Sequence, residues 1–166
     1  MTERYTIRVA KDYLVFCSGH FISYEGHQCE RLHGHNYRAS VEIVGPLDDN
    51  FYIFDFIALK NATRKITDEL DHYMLLPTKN RVIHVEEKAA EVHVRYKDRQ
   101  WIFPLGDCVL LPIENTTAEL LARYIGQRLL ADLRDSHHFT PKIMRVDVEE
   151  GPNQTATWEW SRKDEG

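Results

Sequence analysis

The stretch His33-Gly34-His35-Asn36-Tyr37-Arg38-Ala39-Ser40-Val41-Glu42-Ile43-Val44 decides how the chain is read. Tyr37, Ala39, Val41 and Ile43 alternate with polar or charged neighbours. That period of two lays one face of a β-strand on a core and leaves the other in water. Gly45-Pro46 ends the pattern and Asp48-Asp49-Asn50 makes a turn. Upstream, residues 5–20 are also extended: Tyr5, Ile7 and Val9 alternate with Thr6, Arg8 and Ala10, and Tyr13–Cys17 continues apolar. The intervening 21–32 (FISYEGHQCERL) has no steady period and reads as a loop, so the two strands are expected to pair antiparallel across it.

Downstream, Leu59, Ala62, Ile66 and Leu70 fall at helical spacing within 57–70. A second helix is capped by Thr116 or Thr117, carries Glu119 in its first turn, and repeats Leu121, Ile125, Leu129 and Leu133. Residues 81–86 and 91–96 are Val-rich and pair as an extra hairpin near 81–96, with a short strand at Trp101–Phe103 after it. Two last strands, 142–150 and 155–161, flank Gly151-Pro152-Asn153, and SRKDEG (161–166) is a polar tail. The order predicts an α+β fold, with helices on one face of an antiparallel four-stranded sheet.

The 166 residues suffice for one domain with a real core and are few for two, so 1–166 is expected to fold as one domain. No run approaches the length of a membrane span, and the N-terminus lacks the pattern of a signal peptide. Cys17, Cys29 and Cys108 are an odd number with no C-x-x-C pair, which favours free thiols and a cytoplasmic location. Cys17 and Cys108 sit in apolar runs and read as structural. A net charge of -5 argues against a nucleic-acid surface but not against a small anionic substrate at a local cationic cluster.

Among the nine histidines, His33 and His35 lie two apart on one strand, where their side chains point the same way roughly 6.5–7 Å apart. Alone, such a pair is more often a polar strand face than a metal site. His20 changes the weighing. It ends the first strand in phase with Leu14, Phe16 and Ser18, and both His20 and His33 flank the same loop. Three neutral imidazoles leave zinc one open coordination position, the catalytic arrangement.

Cys29, four residues before His33, is a thiol near that cluster and hence a base or nucleophile candidate, although an arbitrary cysteine is more often structural. In Leu70-Asp71-His72 the aspartate can fix the histidine's tautomer, the alternative being a histidine at a helix C-terminus. Glu150 continues the apolar phase of Met144, Val146 and Val148, and a carboxylate on that face needs a polar partner. Glu119 is either a ligand-binding carboxylate or a helix-dipole glutamate.

Taken in order, F-C-S-G-H (16–20), C-E-R-L-H-G-H-N-Y (29–37), D-F (55–56), L-D-H (70–72), N-T-T-A-E (115–119) and V-E-E-G-P (148–152) resemble the 6-pyruvoyl-tetrahydropterin synthase and 6-carboxy-tetrahydropterin synthase family. The resemblance runs from about residue 5 to residue 160. It implies a tunnelling fold (T-fold) assembled as a homo-hexamer of two stacked trimers, with active sites between subunits. It also implies zinc on His20, His33 and His35, a catalytic triad of Cys29, Asp71 and His72, and a pterin ring anchored by Glu150 and Glu119. The implied substrate is 7,8-dihydroneopterin triphosphate, converted to 6-carboxy- or 6-pyruvoyl-tetrahydropterin. The C-x₃-H-G-H spacing looks more like the carboxy-tetrahydropterin group of queuosine biosynthesis than like the animal pyruvoyl enzymes.

Three departures bear on this. The segment 80–112 is longer than the family minimum, so 81–96 is an added edge or a lid. Thr116 stands where relatives have proline. Glu30 follows Cys29, and some relatives use a glutamate there in place of the cysteine to release 6-hydroxymethyl-dihydropterin for folate synthesis. Two other readings compete: a pterin-binding relative without turnover, and an unrelated three-histidine metal protein such as a small-barrel oxygenase.

Overall fold

The computed structural model describes residues 3–163, so the tail expected at 161–166 lies, from residue 164 onward, outside the described residues. Eleven strands and two α-helices are present among them, in the order β1 (Tyr5–His20), β2 (Ser23–Tyr24), β3 (Gln28–Cys29), β4 (His33–Gly45), α1 (Phe56–Asp68), β5 (Tyr73–Pro77), β6 (His84–Lys88), β7 (Glu91–Tyr96), β8 (Arg99–Pro104), β9 (Cys108–Leu111), α2 (Ala118–His137), β10 (Ile143–Gly151) and β11 (Gln154–Ser161). The main sheet runs β11-β10-β4-β1-β5-β9. Its first four strands pair antiparallel throughout, which is the unit the alternation predicts.

The sheet extends further than that unit. β5 and β9 add to the β1 edge in parallel register. They were not legible as strands because Met74–Pro77 is buried and shows no alternation, and a short continuous apolar run has no period to read. The expected hairpin is also larger: β6 and β7 turn at Ala89-Ala90, and β8 pairs with β7 to make a three-stranded meander with its own sheet. The loop 21–32 contains the small hairpin β2–β3.

β1 and β4 pair from Tyr5↔Gly45 to His20↔His33, with a register shift between Ala10↔Ser40 and Val15↔Arg38. β1 advances five residues there and β4 two, so β1 carries an odd surplus that exchanges its two faces. Val9 faces the core before the shift, whereas Leu14, Phe16, Ser18 and His20 face it afterwards.

Asp55 caps α1, its carboxylate accepting from the Ala58 N–H at 2.7 Å, and Leu59, Ala62 and Ile66 turn inward. Thr117 caps α2, which buries Leu121, Ile125, Leu129 and Leu133 against the same sheet face. His138 ends that helix in the left-handed region (φ 52°), and the Phe139 N–H returns to the Leu133 carbonyl. A second, smaller core lies under the meander and joins Val92, Val94 and Tyr96 to Phe21, Met74, Leu76 and Ile83.

Gly126 lets α2 lie flat on β11, because a methyl group there would overlap the Trp158 indole. Gly126→Ala is therefore expected to lower stability by roughly 1–3 kcal/mol through overpacking, outweighing a helix-propensity gain of about 1 kcal/mol. The midpoint of thermal or denaturant unfolding checks this.

Candidate metal centre and cleft

The buried face of the antiparallel unit turns polar at one rim, and the β1–β4 register decides which side chains meet there. His20 and His33 are direct cross-strand partners, and His35 pairs with Ser18 one step further along the same face. Directly opposed Cβ atoms stand about 4.5–5.5 Å apart. Ring centroids accordingly lie 4.7 Å apart for His20 and His33, 5.2 Å for His20 and His35, and 4.8 Å for His33 and His35. One ligand nitrogen from each lies within 4.8 Å of the other two. Three ligands about 2.0–2.1 Å from one tetrahedral ion stand about 3.4 Å apart, so side-chain adjustments on the order of an ångström bring the three nitrogens onto one ion.

The protein pre-orients these rings. His20 is 1% exposed and its Nδ1 lies 3.0 Å from the Thr116 carbonyl, while His33 Nδ1 lies 2.8 Å from the Arg31 carbonyl. A carbonyl only accepts, so both Nδ1 atoms carry a proton, which in a neutral ring leaves Nε2 as the acceptor and ligand atom. Burial pushes the His20 pKa down to about 4; the Thr116 hydrogen bond opposes this and the other two histidines add to it. A neutral imidazole is the form that binds metal. The three-nitrogen donor set and its second-layer carbonyls fit a divalent transition ion.

Glu150 emerges on the same rim. Its Oε1 lies 3.5 Å from His20 Nε2 and 3.6 Å from His35 Nε2. The Tyr37 hydroxyl stands 3.0 Å from His20 Nε2 and 3.3 Å from Glu150 Oε1, one proton facing two acceptors. The alternation places Tyr37 on the core face of its strand and does not mark its hydroxyl as a site group. The available signal was its phase: it follows His33 and His35 on one face of β4. A cleft of about 510 Å³ opens over this rim, lined by His20, His33, Glu30 and Glu150, with Thr117 and Glu119 from the start of α2 on its far wall. Glu119 is exposed in the first turn of α2.

Cys29, Asp71 and His72 are not among the residues lining this cleft. Cys29 is half-buried, packs against the second core, and points its Sγ at the Glu30 carbonyl at 3.4 Å. Burial pushes its thiol pKa up, with Arg99 pulling it down and Glu30 pushing it further up. The protein groups around Cys29 thus do not by themselves favour its thiolate. Its neighbour Glu30 enters the cleft, with Oε2 4.0 Å from His33 Nε2 and accepting from the Ile22 N–H at 3.3 Å.

Asp71 and His72 sit at the β1–β5 seam. His72 Nδ1 is 2.8 Å from Asp71 Oδ2, Asp71 Oδ1 accepts from the Cys17 N–H at 2.7 Å, and the His72 N–H donates to the Cys17 carbonyl at 2.7 Å. Partial burial raises the Asp71 pKa, but these hydrogen bonds outweigh it and hold the carboxyl below its ordinary range. The His72 side chain is 81% exposed. Cys17 corrects the expectation from its apolar run: it is exposed, because after the register shift odd positions of β1 face away from the core, while Cys108 is half-buried.

The model of the 6-pyruvoyl tetrahydropterin synthase family matches residues 9–160. The chain belongs to that family. A Methanocaldococcus jannaschii protein with the provisional name 6-carboxy-5,6,7,8-tetrahydropterin synthase is 31% identical over 147 residues, 87% of this chain and 89% of that relative. The Haemophilus influenzae 6-carboxy-5,6,7,8-tetrahydropterin synthase is 28% identical over 130 residues, 75% of this chain and 83% of its own. A solved Plasmodium vivax 6-pyruvoyltetrahydropterin synthase, in which a catalytic glutamate is replaced by alanine, superposes with a TM-score of 0.89 at 30% identity and covers 97% of this chain and 100% of its own. This tetrahydropterin synthase is accordingly a lyase with the α+β T-fold.

Depressed histidine titration has a measurable consequence in metal-free protein. The folded His20 pKa, about 4, lies below the ordinary 6.5, so the unfolded chain binds the extra proton between these values. Stability is expected to fall as pH drops from about 6.5 toward 4 and then level off, by a His20 contribution on the order of 3 kcal/mol. Unfolding midpoints of the chelator-treated protein across that range, compared with His20→Phe, isolate the contribution.

Proposed function

We propose that this family member is a zinc-dependent lyase acting on 7,8-dihydroneopterin triphosphate and forming 6-carboxytetrahydropterin, a step toward queuosine precursors. The observation carrying the proposal is the His20–His33–His35 cluster at a cleft whose other polar walls are Glu150, Glu30 and Glu119. The product assignment draws on the C-x₃-H-G-H spacing and on the 6-carboxy names of the sequence relatives.

His20, His33 and His35 would hold the ion. Bound there, zinc supplies a Lewis acid and a template for the side-chain hydroxyls of the substrate. Glu150 and Glu119 accept hydrogen bonds from the pterin amino and ring N–H groups, which orients the side chain toward the histidines. Tyr37 limits the freedom of the Glu150 carboxylate. Cys29 takes a proton from a side-chain carbon, and His72 exchanges protons through its outward Nε2 because Nδ1–H is donated to Asp71.

Asp71 and His72 do not line their own chain's cleft, which supports a site completed by a neighbouring copy in a homo-hexamer. Exposed Phe51, Tyr52, Phe56 and Ile57 beside the start of α1, and the unpaired outer edges of β9 and β11, support such association. A cytoplasmic location is proposed on the three free cysteines. No helix among the described residues is long and apolar enough to cross a membrane.

One observation favours a second reading, glutamate-assisted cleavage to 6-hydroxymethyl-dihydropterin. Glu30 lines the cleft beside His33 whereas Cys29 does not, and the similar Plasmodium vivax protein has a catalytic glutamate. Mass spectrometry of products from dihydroneopterin triphosphate separates the two. The first reading expects 6-carboxytetrahydropterin, lost on chelation, with Cys29→Ala costing about 10²–10⁴-fold at unchanged zinc content. Hydroxymethyl product, with that sensitivity moved to Glu30→Gln, establishes the second. His33→Ala is expected to lower bound zinc to well under one equivalent by metal analysis; full retention would remove the histidine site.

A further inference from the structure

The meander β6–β8 holds the loop that carries Cys29 and Glu30. Arg99, at the start of β8, donates from Nη1 to the Cys29 carbonyl at 3.1 Å and from Nη2 to the Glu30 carbonyl at 3.0 Å. Its guanidinium lies 4.6 Å over the Trp101 ring and 5.9 Å from the Tyr96 ring, and Trp101 in turn stacks on Phe21 at 4.6 Å. The Tyr96 hydroxyl donates to the His27 carbonyl at 2.5 Å. Three carbonyls of one short loop, those of His27, Cys29 and Glu30, are thus held from the meander.

The two bonds from Arg99 fall on the peptide groups on either side of Glu30. With both peptide planes held, the Glu30 backbone dihedrals and the direction of its side chain are set, and Cys29 is anchored at its carbonyl side while β3 pairing holds its other side. Successive side chains of an extended backbone point to opposite sides. Here one enters the cleft beside His33 and the other packs against the second core. A planar fork suits two carbonyls at once, and an ammonium group is a single point charge. Stacking on Trp101 restricts the guanidinium, so little entropy is lost in holding the loop.

We propose that Arg99 is a positioning residue for the proton-transfer chemistry: its two-pronged hold on the Cys29 and Glu30 carbonyls sets which side chain faces the cleft and how. The proposal rests on the reading that one of these two neighbours moves the proton. It gives the added meander a role in turnover that neither a plain sheet edge nor a lid would have.

The test uses the isolated holoenzyme, with metal content measured, and dihydroneopterin triphosphate. Arg99→Met keeps an aliphatic chain over Trp101 and removes both donors, whereas Arg99→Lys restores one. Arg99→Met is expected to lose at least about tenfold in kcat with KM and metal content within about twofold of the parent, and Arg99→Lys to recover part of the loss. Parental kcat in Arg99→Met overturns the proposal, as does a loss that follows loss of metal. If the parent makes no pterin product, the functional reading above fails, and the alkylation rate of Cys29 by iodoacetamide, resolved by peptide mass spectrometry, decides Arg99 by itself. A change of at least about threefold in Arg99→Met then supports the hold on the loop, and an unchanged rate overturns it. Should Arg99→Met not fold, the same readouts on Arg99→Lys decide: a kcat loss at constant KM supports, and parental values overturn.

Discussion

The pairing of β1 with β4 is the constraint on which the remaining structure depends. Twelve cross-strand pairs fix it, from Tyr5↔Gly45 to His20↔His33, and the last of them is itself the start of the histidine cluster. Side chains alternate between faces, so a slip by one residue would send every imidazole and every core aliphatic to the wrong side. The odd surplus of β1 residues between Ala10 and Val15 is therefore a functional feature. It moves β1 from the phase that buries Val9 to the phase that buries Leu14, Phe16 and His20. The apolar cost of misregister thereby enforces the polar geometry at the rim.

Chemistry at the rim follows from what lies beneath and above it. Below, Phe16 and Tyr37 stack at 4.9 Å, leaving the Tyr37 hydroxyl at the edge of the core between His20 and Glu150. Above, the loop before α2 brings the Thr116 carbonyl to His20 Nδ1, and Thr116 itself is buried. The contact to His20 comes from the Thr116 backbone carbonyl, a group every residue type supplies. Burial keeps His20 neutral, the carbonyl fixes its tautomer, and together they leave a lone pair facing its neighbours.

The two flanks of the site are built differently. The histidine side rests on a continuous antiparallel sheet. The loop bearing Cys29 and Glu30 is a minimal hairpin with little core of its own, held by Arg99, Tyr96 and Asn115 side chains from later in the chain. Asp71 and His72 form a third, separate piece, hydrogen-bonded to β1 at its outer edge. One chain thus presents a three-histidine cluster, a loop carrying Cys29 and Glu30, and an aspartate-oriented histidine as three structural units.

Local periodicity was enough to place β1, β4, both helices, β10 and β11, because amphipathic elements write their burial into the residue pattern. It also put His33 and His35 on one side of a strand, and Glu150 in phase with the core. The parallel strands β5 and β9 were not legible, since short apolar runs carry no phase. Nor was the difference between Cys29 and Glu30: adjacent residues read alike in sequence, and the loop that carries them is held by side chains some seventy or more positions away in the chain, Arg99 and Tyr96 among them. Residue types and spacing therefore determined what chemistry was available. Long-range backbone pairing and burial, which no local pattern encodes, decided which groups meet and in what ionisation state.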